Sequence, residues 1–165
     1  MIAHHVAIGL FACMVSFSAQ AQRSLESLVS EANAEWMFGQ WQSALPNGES
    51  LTLNISWDLE KHIVQLHLKA PGSETKGYTV LEPKSETPKH YSFNSGGTVA
   101  KGAWAMEGGD LVLRVEAEHA ALKPWKQGFV FSGSASEGLT VRIHGMDSSG
   151  NLTPAGETLK FKKTK

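Results

Sequence analysis

Apolar and polar residues alternate with a period of two through most of this chain. In one stretch Leu51, Leu53, Ile55 and Trp57 alternate with Ser50, Thr52, Asn54, Ser56 and Asp58; in the next, Val64, Leu66, Leu68 and Ala70 alternate with Ile63, Gln65, His67 and Lys69. Successive side chains of a strand point to opposite faces, so each stretch predicts a strand with one buried and one wet face. The polar break Asp58-Leu59-Glu60-Lys61 between them is of hairpin length. Downstream, Tyr78 and Val80 mark a strand within 77–83, and Tyr91 and Phe93 one within 90–95. Residues 98–107 set Gly102, Trp104 and Met106 on one face, and Leu111, Leu113, Val115 and Ala117 oppose Arg114, Glu116 and Glu118. Phe129 with Phe131, Leu139 with Val141 and Ile143, and Leu159 with Phe161 extend the series. The pairs Gly96-Gly97 and Gly108-Gly109 suit hairpin turns that need positive φ.

About ten short strands with no helix between them imply antiparallel neighbours joined by hairpins. A wet face on each strand excludes a doubly covered parallel sheet. Closing the sheet removes its edges, so the expected fold is all-β, an antiparallel up-and-down barrel rather than a sandwich. One segment departs from the alternation. Leu25, Leu28, Val29, Ala32 and Trp36 recur at spacings of three and four, predicting a helix over 23–36 with Ser24 as N-cap and Glu26 in the first turn. So short a helix is stabilised by laying its stripe on something, here by plugging one end of the barrel.

At 165 residues with 41% apolar composition, the chain builds one domain with one core. Its 15 basic and 16 acidic residues are mixed along the length, without the basic footprint of a nucleic-acid partner. The N-terminus stands apart. Val6 to Phe17 is apolar but too short to span a membrane, and Ala19-Gln20-Ala21 is a small-x-small cleavage pattern. The expectation is a secretory signal peptide over 1–21, a single barrel domain over 22–165, and export to the periplasm or beyond. The leader carries no Lys or Arg, and Leu10-Phe11-Ala12-Cys13 resembles a lipobox, so a lipoprotein anchored at Cys13 is the rival reading. Cys13 is the single cysteine. Its loss with the leader would leave no disulfide, no thiolate metal site and no cysteine nucleophile.

Gly39-Gln40-Trp41, after a helix and opening the first strand, resembles the G-x-W start of calycin-like barrels such as lipocalins and nitrobindin-like proteins. The resemblance implies a helix or turn plugging one end and a tryptophan packed there. It covers the barrel in architecture but rests in motif on Gly39 and Trp41. The later lipocalin Thr-Asp-Tyr is missing, with Lys76-Gly77-Tyr78 the nearest text, and Lys160, Lys162 and Lys163 stand where lipocalins place an arginine over the tryptophan. Nitrobindin-like barrels hold haem through a histidine near the C-terminus, and none follows His144 here. The alternative for Gly39 and Trp41 is plain core packing with a glycine bulge.

In an up-and-down barrel the helix shares one end with turns 58–61, 84–89, 107–110 and 135–137. Loops 44–49, 70–77, 119–127 and 146–157 gather at the other, the expected mouth. His67, His90 and His144 fall out of phase with the apolar face and are expected to be wet; His62 and His119 are in phase but at opposite ends. No His-x-His or His-x3-His spacing argues for zinc. In 119–127, Trp125 beside Pro124 reads either as a lid over ligand or as an aromatic folded on the rim, and His119 as a ligand contact or a strand-end histidine. Asp147-Ser148-Ser149-Gly150-Asn151 resembles a calcium loop in outline but lacks its terminal glutamate, and reads as an Asx turn. No Gly-x-Ser-x-Gly, phosphate loop or H-E-x-x-H occurs.

The expected function is therefore an exported, non-catalytic barrel that binds a small apolar ligand, without cofactor or metal. The expected lining is Tyr78, Tyr91, Trp104, His119, Trp125, Phe129 and Phe131, with Gly102 leaving room beside Trp104. The alternative is a solidly packed envelope module that meets a protein partner, and an enzyme comes third. Neither a nucleic-acid partner nor a membrane span is expected, and the oligomeric state is open.

Overall fold

The computed structural model describes residues 23–164. The expected signal peptide, its cleavage point and Cys13 lie outside the described residues. Within them the chain forms one helix, a 3-10 turn and ten strands: α1 Leu25–Glu31, the turn Glu35–Met37, β1 Gly39–Ala44, β2 Ser50–Asp58, β3 Ile63–Ala70, β4 Ser73–Glu82, β5 Thr87–Asn94, β6 Val99–Glu107, β7 Asp110–His119, β8 Leu122–Ser134, β9 Gly138–Met146 and β10 Leu152–Lys163.

Each strand pairs antiparallel with its sequence neighbours, and β1 pairs with β10 to close the barrel. The closing seam is narrow, with Trp41 opposite Lys163 and Gln42 opposite Lys162. Thr164 lengthens it by donating its N–H to the Gln40 carbonyl at 2.8 Å. A closed ladder satisfies every edge, so a thin seam still protects the sheet.

Ser24 caps α1 as its sequence suggests. Its hydroxyl accepts from the Ser27 N–H at 3.0 Å, while the Ser27 hydroxyl accepts from the Ser24 N–H at 3.1 Å. The helix is shorter than the periodic stripe implied. Asn33 takes φ +48°, and the Asn33 and Ala34 N–H groups bond back to Ser30 and Val29, the pattern that ends helices on a left-handed residue. Leu25, Ala34 and Met37 are buried against the barrel end, so the stripe docks although the helix stops early.

Gly39 opens β1 at φ +128°, a conformation open to glycine. Two residues on, Trp41 is 1% exposed and donates Nε1–H to the Met37 carbonyl at 2.8 Å. The Lys163 ammonium stands 5.2 Å from the Trp41 ring centroid, so the last strand does set a cation over the tryptophan. The tryptophan thus ties the 3-10 turn, the first strand and the last strand together.

Three of the four expected mouth loops are largely strand. The 70–77 segment is a two-residue turn at Pro71-Gly72, 119–127 turns at Ala120-Ala121, and 146–157 shortens to 147–151. Ladder pairing carries polar residues, Pro and Gly of these segments into the strands, because a strand in a closed barrel is held by its neighbours rather than by its own propensity. In 147–151 the Asp147 carboxylate accepts from the N–H groups of Ser149 and Asn151, both at 2.9 Å, an Asx turn. Leu152 then folds over the outer wall onto Gly128, where a Cβ would collide with it.

Candidate functional site

The interior is not packed solid. Two cavities lie along the barrel, separated by a waist in which the Trp104 and Phe131 rings stand 5.0 Å apart. The lower cavity, about 250 Å³, lies between α1 and the barrel end, against Leu25, Val29, Met37 and Pro88. The upper cavity, about 410 Å³, runs from the waist toward the end that carries the hairpin turns after β3, β5 and β7.

The upper cavity has two unlike walls. Leu53, Leu113, Phe129, Val141 and Phe161 make a mainly apolar wall from β2 and β7–β10, with Gln127 of β8 its polar member. Across from it, β4 presents Thr75, β5 presents His90, Ser92 and Asn94, and the turn before β6 presents Thr98. Among the described residues, no lysine, arginine, aspartate or glutamate lines it. At the rim Asn94 is already engaged, donating from Nδ2 to the hydroxyls of Ser73 and Thr75 at 2.9 Å each.

This polar wall follows from register. Facing partners in an antiparallel ladder share a face, and Val64, Leu66 and Leu68 pair with Thr79, Gly77 and Thr75. The next ladder pairs Thr79 with His90 and Gly77 with Ser92. The inward residues of β4 and β5 are therefore the polar set. Tyr78 and Tyr91 stand on the outer face, cross-strand partners of each other, with Tyr91 46% exposed. The expected lining by these two tyrosines is corrected, and so is the expectation that His90 is wet. The Pro71-Gly72 turn was the available signal. A two-residue turn sets Ala70 opposite Ser73 on the same face, and steps of two from Ser73 then put Thr75, Gly77 and Thr79 on the inner face.

His90 lies at the waist, 3% exposed. Its Nδ1 is 3.0 Å from the Thr79 hydroxyl, which also accepts the Trp104 Nε1–H at 2.9 Å. The Trp104 ring meets the imidazole edge-on at 6.3 Å. Burial, with no carboxylate to offset it, pushes the imidazole pKa down from 6.5 to about 4, so His90 is neutral at neutral pH. Gly77, facing inward beside it, has no side chain to compete for the ring's place.

The other expected site residues divide. Phe129, Phe131 and Trp125 line the upper cavity, and Trp104 reaches the lower one from the waist. Trp125 is a half-buried residue of β8 opposite Ala117, not a residue of a loop lid. His119 is turned to the rim: its Nδ1 accepts from the Ala121 N–H at 3.1 Å, so Nε2 carries the proton donated to the Gly96 carbonyl at 2.9 Å. Gly102 leaves no room beside Trp104. A Cβ there would run into the Arg114 carbonyl and stand 2.9 Å from Val115 Cα, so glycine serves a close approach of β6 to β7.

Among the described residues no group of three or more histidine, cysteine, aspartate or glutamate side chains is placed to hold a metal ion. Among them, too, no helix is long and apolar enough to cross a membrane. No protein-family model matches the chain, and no curated protein matches it either.

Proposed function

We propose that this chain is a non-catalytic binding protein that takes a small, mainly apolar molecule into its barrel. The observation that carries this reading is the upper cavity, about 410 Å³ and walled on one side by aliphatic and aromatic residues. Sites for small molecules are concave, mostly apolar and furnished with a few fixed polar groups, and this cavity has that make-up. The G-x-W opening, the docked helix and the cation over Trp41 are features that calycin-like barrels share, and they favour that kinship. The leader-like N-terminus favours export.

The test is equilibrium titration of the native chain with a neutral apolar dye such as N-phenylnaphthylamine, followed by displacement with unlabelled apolar compounds. Saturable binding that vanishes in urea supports the reading. Absence of saturable binding to natively folded protein overturns it.

One observation favours the interaction-module reading as a second role. Tyr91, Phe93 and Val99 stand exposed, between 46% and 52%, on the outer face of β5 and β6. Phe93 and Val99 are direct cross-strand partners there. A photo-crosslinker placed at residue 93 in the producing cell would trap a discrete adduct if a protein seats on this face, and none if it does not.

A further inference from the structure

We propose that the upper cavity selects an uncharged carbonyl compound, and that the Nε2–H of His90 donates the hydrogen bond that holds its oxygen. This deepens the cavity-binding reading and rests on it.

The proton positions follow from donor counting. The Trp104 indole N–H has only a proton to give, and it points at the Thr79 hydroxyl oxygen at 2.9 Å. That hydroxyl has one proton of its own, and the neighbour that accepts it is His90 Nδ1, at 3.0 Å. The relay therefore runs from Trp104 through Thr79 to His90, and a neutral imidazole that accepts at Nδ1 carries its proton on Nε2. The opposite tautomer would leave the threonine proton buried with no acceptor.

The ring's other edge is aimed away from Thr79. A Cβ built on Gly77 would stand 2.5 Å from His90 Cε1 and 2.8 Å from Nε2. Gly77 faces the upper cavity, and so does His90. The Cε1–Nε2 edge thus passes over Gly77 into that space. His90 is 3% exposed, and among the described residues no protein group accepts from Nε2. Open to the cavity and free of protein acceptors, this donor can be given to a ligand oxygen, and a hydrogen bond made away from bulk water adds net affinity.

The charge of the ligand follows from the lining. A carboxylate moved from water into a cavity without lysine or arginine loses hydration that neutral groups do not restore. An imidazole that protonates only near pH 4 brings no positive charge at neutral pH. A carbonyl needs one donor and brings no further proton to place. Its hydrocarbon part meets Phe129, Phe131 and Phe161 on the opposite wall.

The experiment displaces N-phenylnaphthylamine from the full chain with a methyl ketone, the alkane of equal length and the matching carboxylate. For the parent protein at neutral pH the ketone is expected to bind roughly tenfold tighter than the alkane, the effect of one hydrogen bond to an otherwise unsatisfied donor. The carboxylate is expected to bind more weakly than the ketone. In His90→Leu the dye still binds and the ketone preference collapses toward unity; His90→Gln, which keeps a donor, retains part of it. A second measurement needs no variant: imidazole nitrogen NMR of the parent should show Nε2 protonated and shifting with ketone but not with alkane. Equal binding of ketone and alkane, preference for the carboxylate, a preference that survives His90→Leu, or a proton found on Nδ1 would each overturn the assignment while the cavity reading stood. Failure of the dye itself to bind is the separate outcome in which the cavity reading fails and this one with it.

Discussion

The imidazole of His90 occupies the volume that a side chain at residue 77 would need, its Cε1 only 2.5 Å from where a Gly77 Cβ would lie. The two residues sit on adjacent strands, Gly77 pairing with Ser92 and His90 with Thr79, so neither moves without the ladder. Glycine at 77 is thus the condition for a histidine inside this barrel.

Gly77→Ala is therefore expected to destabilise the fold by about 1–3 kcal/mol, the usual cost of overpacking. Urea denaturation measures it. In a His90→Ala background the same substitution should cost far less, because the ring it strikes is gone; equal costs in both backgrounds would show that the two residues do not compete for space.

His90 also gives stability a pH signature. Its folded pKa of about 4 lies below the ordinary 6.5, so between these values the unfolded chain binds a proton that the folded chain refuses. Stability is full above pH 6.5 and declines as pH falls toward 4, by about 3 kcal/mol in total. Glu107, held below the ordinary carboxylate value of 4.5 by its hydrogen bond to Arg114, and Asp147, held low by the Asn151 N–H, act mainly below this window. Urea midpoints between pH 7 and pH 4 should fall for the parent and stay nearly level for His90→Gln. Parallel curves would assign the decline to other groups.

Filling the cavity should silence it. Ala100 lines the upper cavity and faces Ser92 and Ala117 across its two ladders. Ala100→Leu is expected to weaken dye binding by roughly tenfold or more at a stability change under about 1 kcal/mol, since the added carbons enter empty space. A loss of stability with dye binding unchanged would mean that residue 100 has no free volume beside it.

The plug is tested at Leu25, 4% exposed at the start of α1. Leu25→Asp places an unpaired carboxylate against the barrel end and should destabilise the fold by on the order of 3 kcal/mol. An unchanged urea midpoint would show that α1 contributes nothing to the barrel.

The period-two alternation from Leu51 to Ala70 determined the strand pattern by itself, and with it the antiparallel all-β class, because burying one face of each strand needs only local spacing. The same held for the Ser24 cap and for Gly39 and Trp41, whose demands are local. The site was less legible. In β5 the hydropathy of Tyr91 and Phe93 outweighs that of His90 and Ser92, so a reading from composition turns the strand inside out. Only the ladder decided otherwise: with Val64 inward, its partner Thr79 must be inward, and then His90 opposite Thr79. Register is set by turns and by neighbouring strands, and one residue of offset exchanges the two faces. The donor chain from Trp104 through Thr79 to His90 joins residues up to 25 positions apart on the neighbouring strands β4, β5 and β6, and only the pairing of these strands brings them within hydrogen-bonding distance.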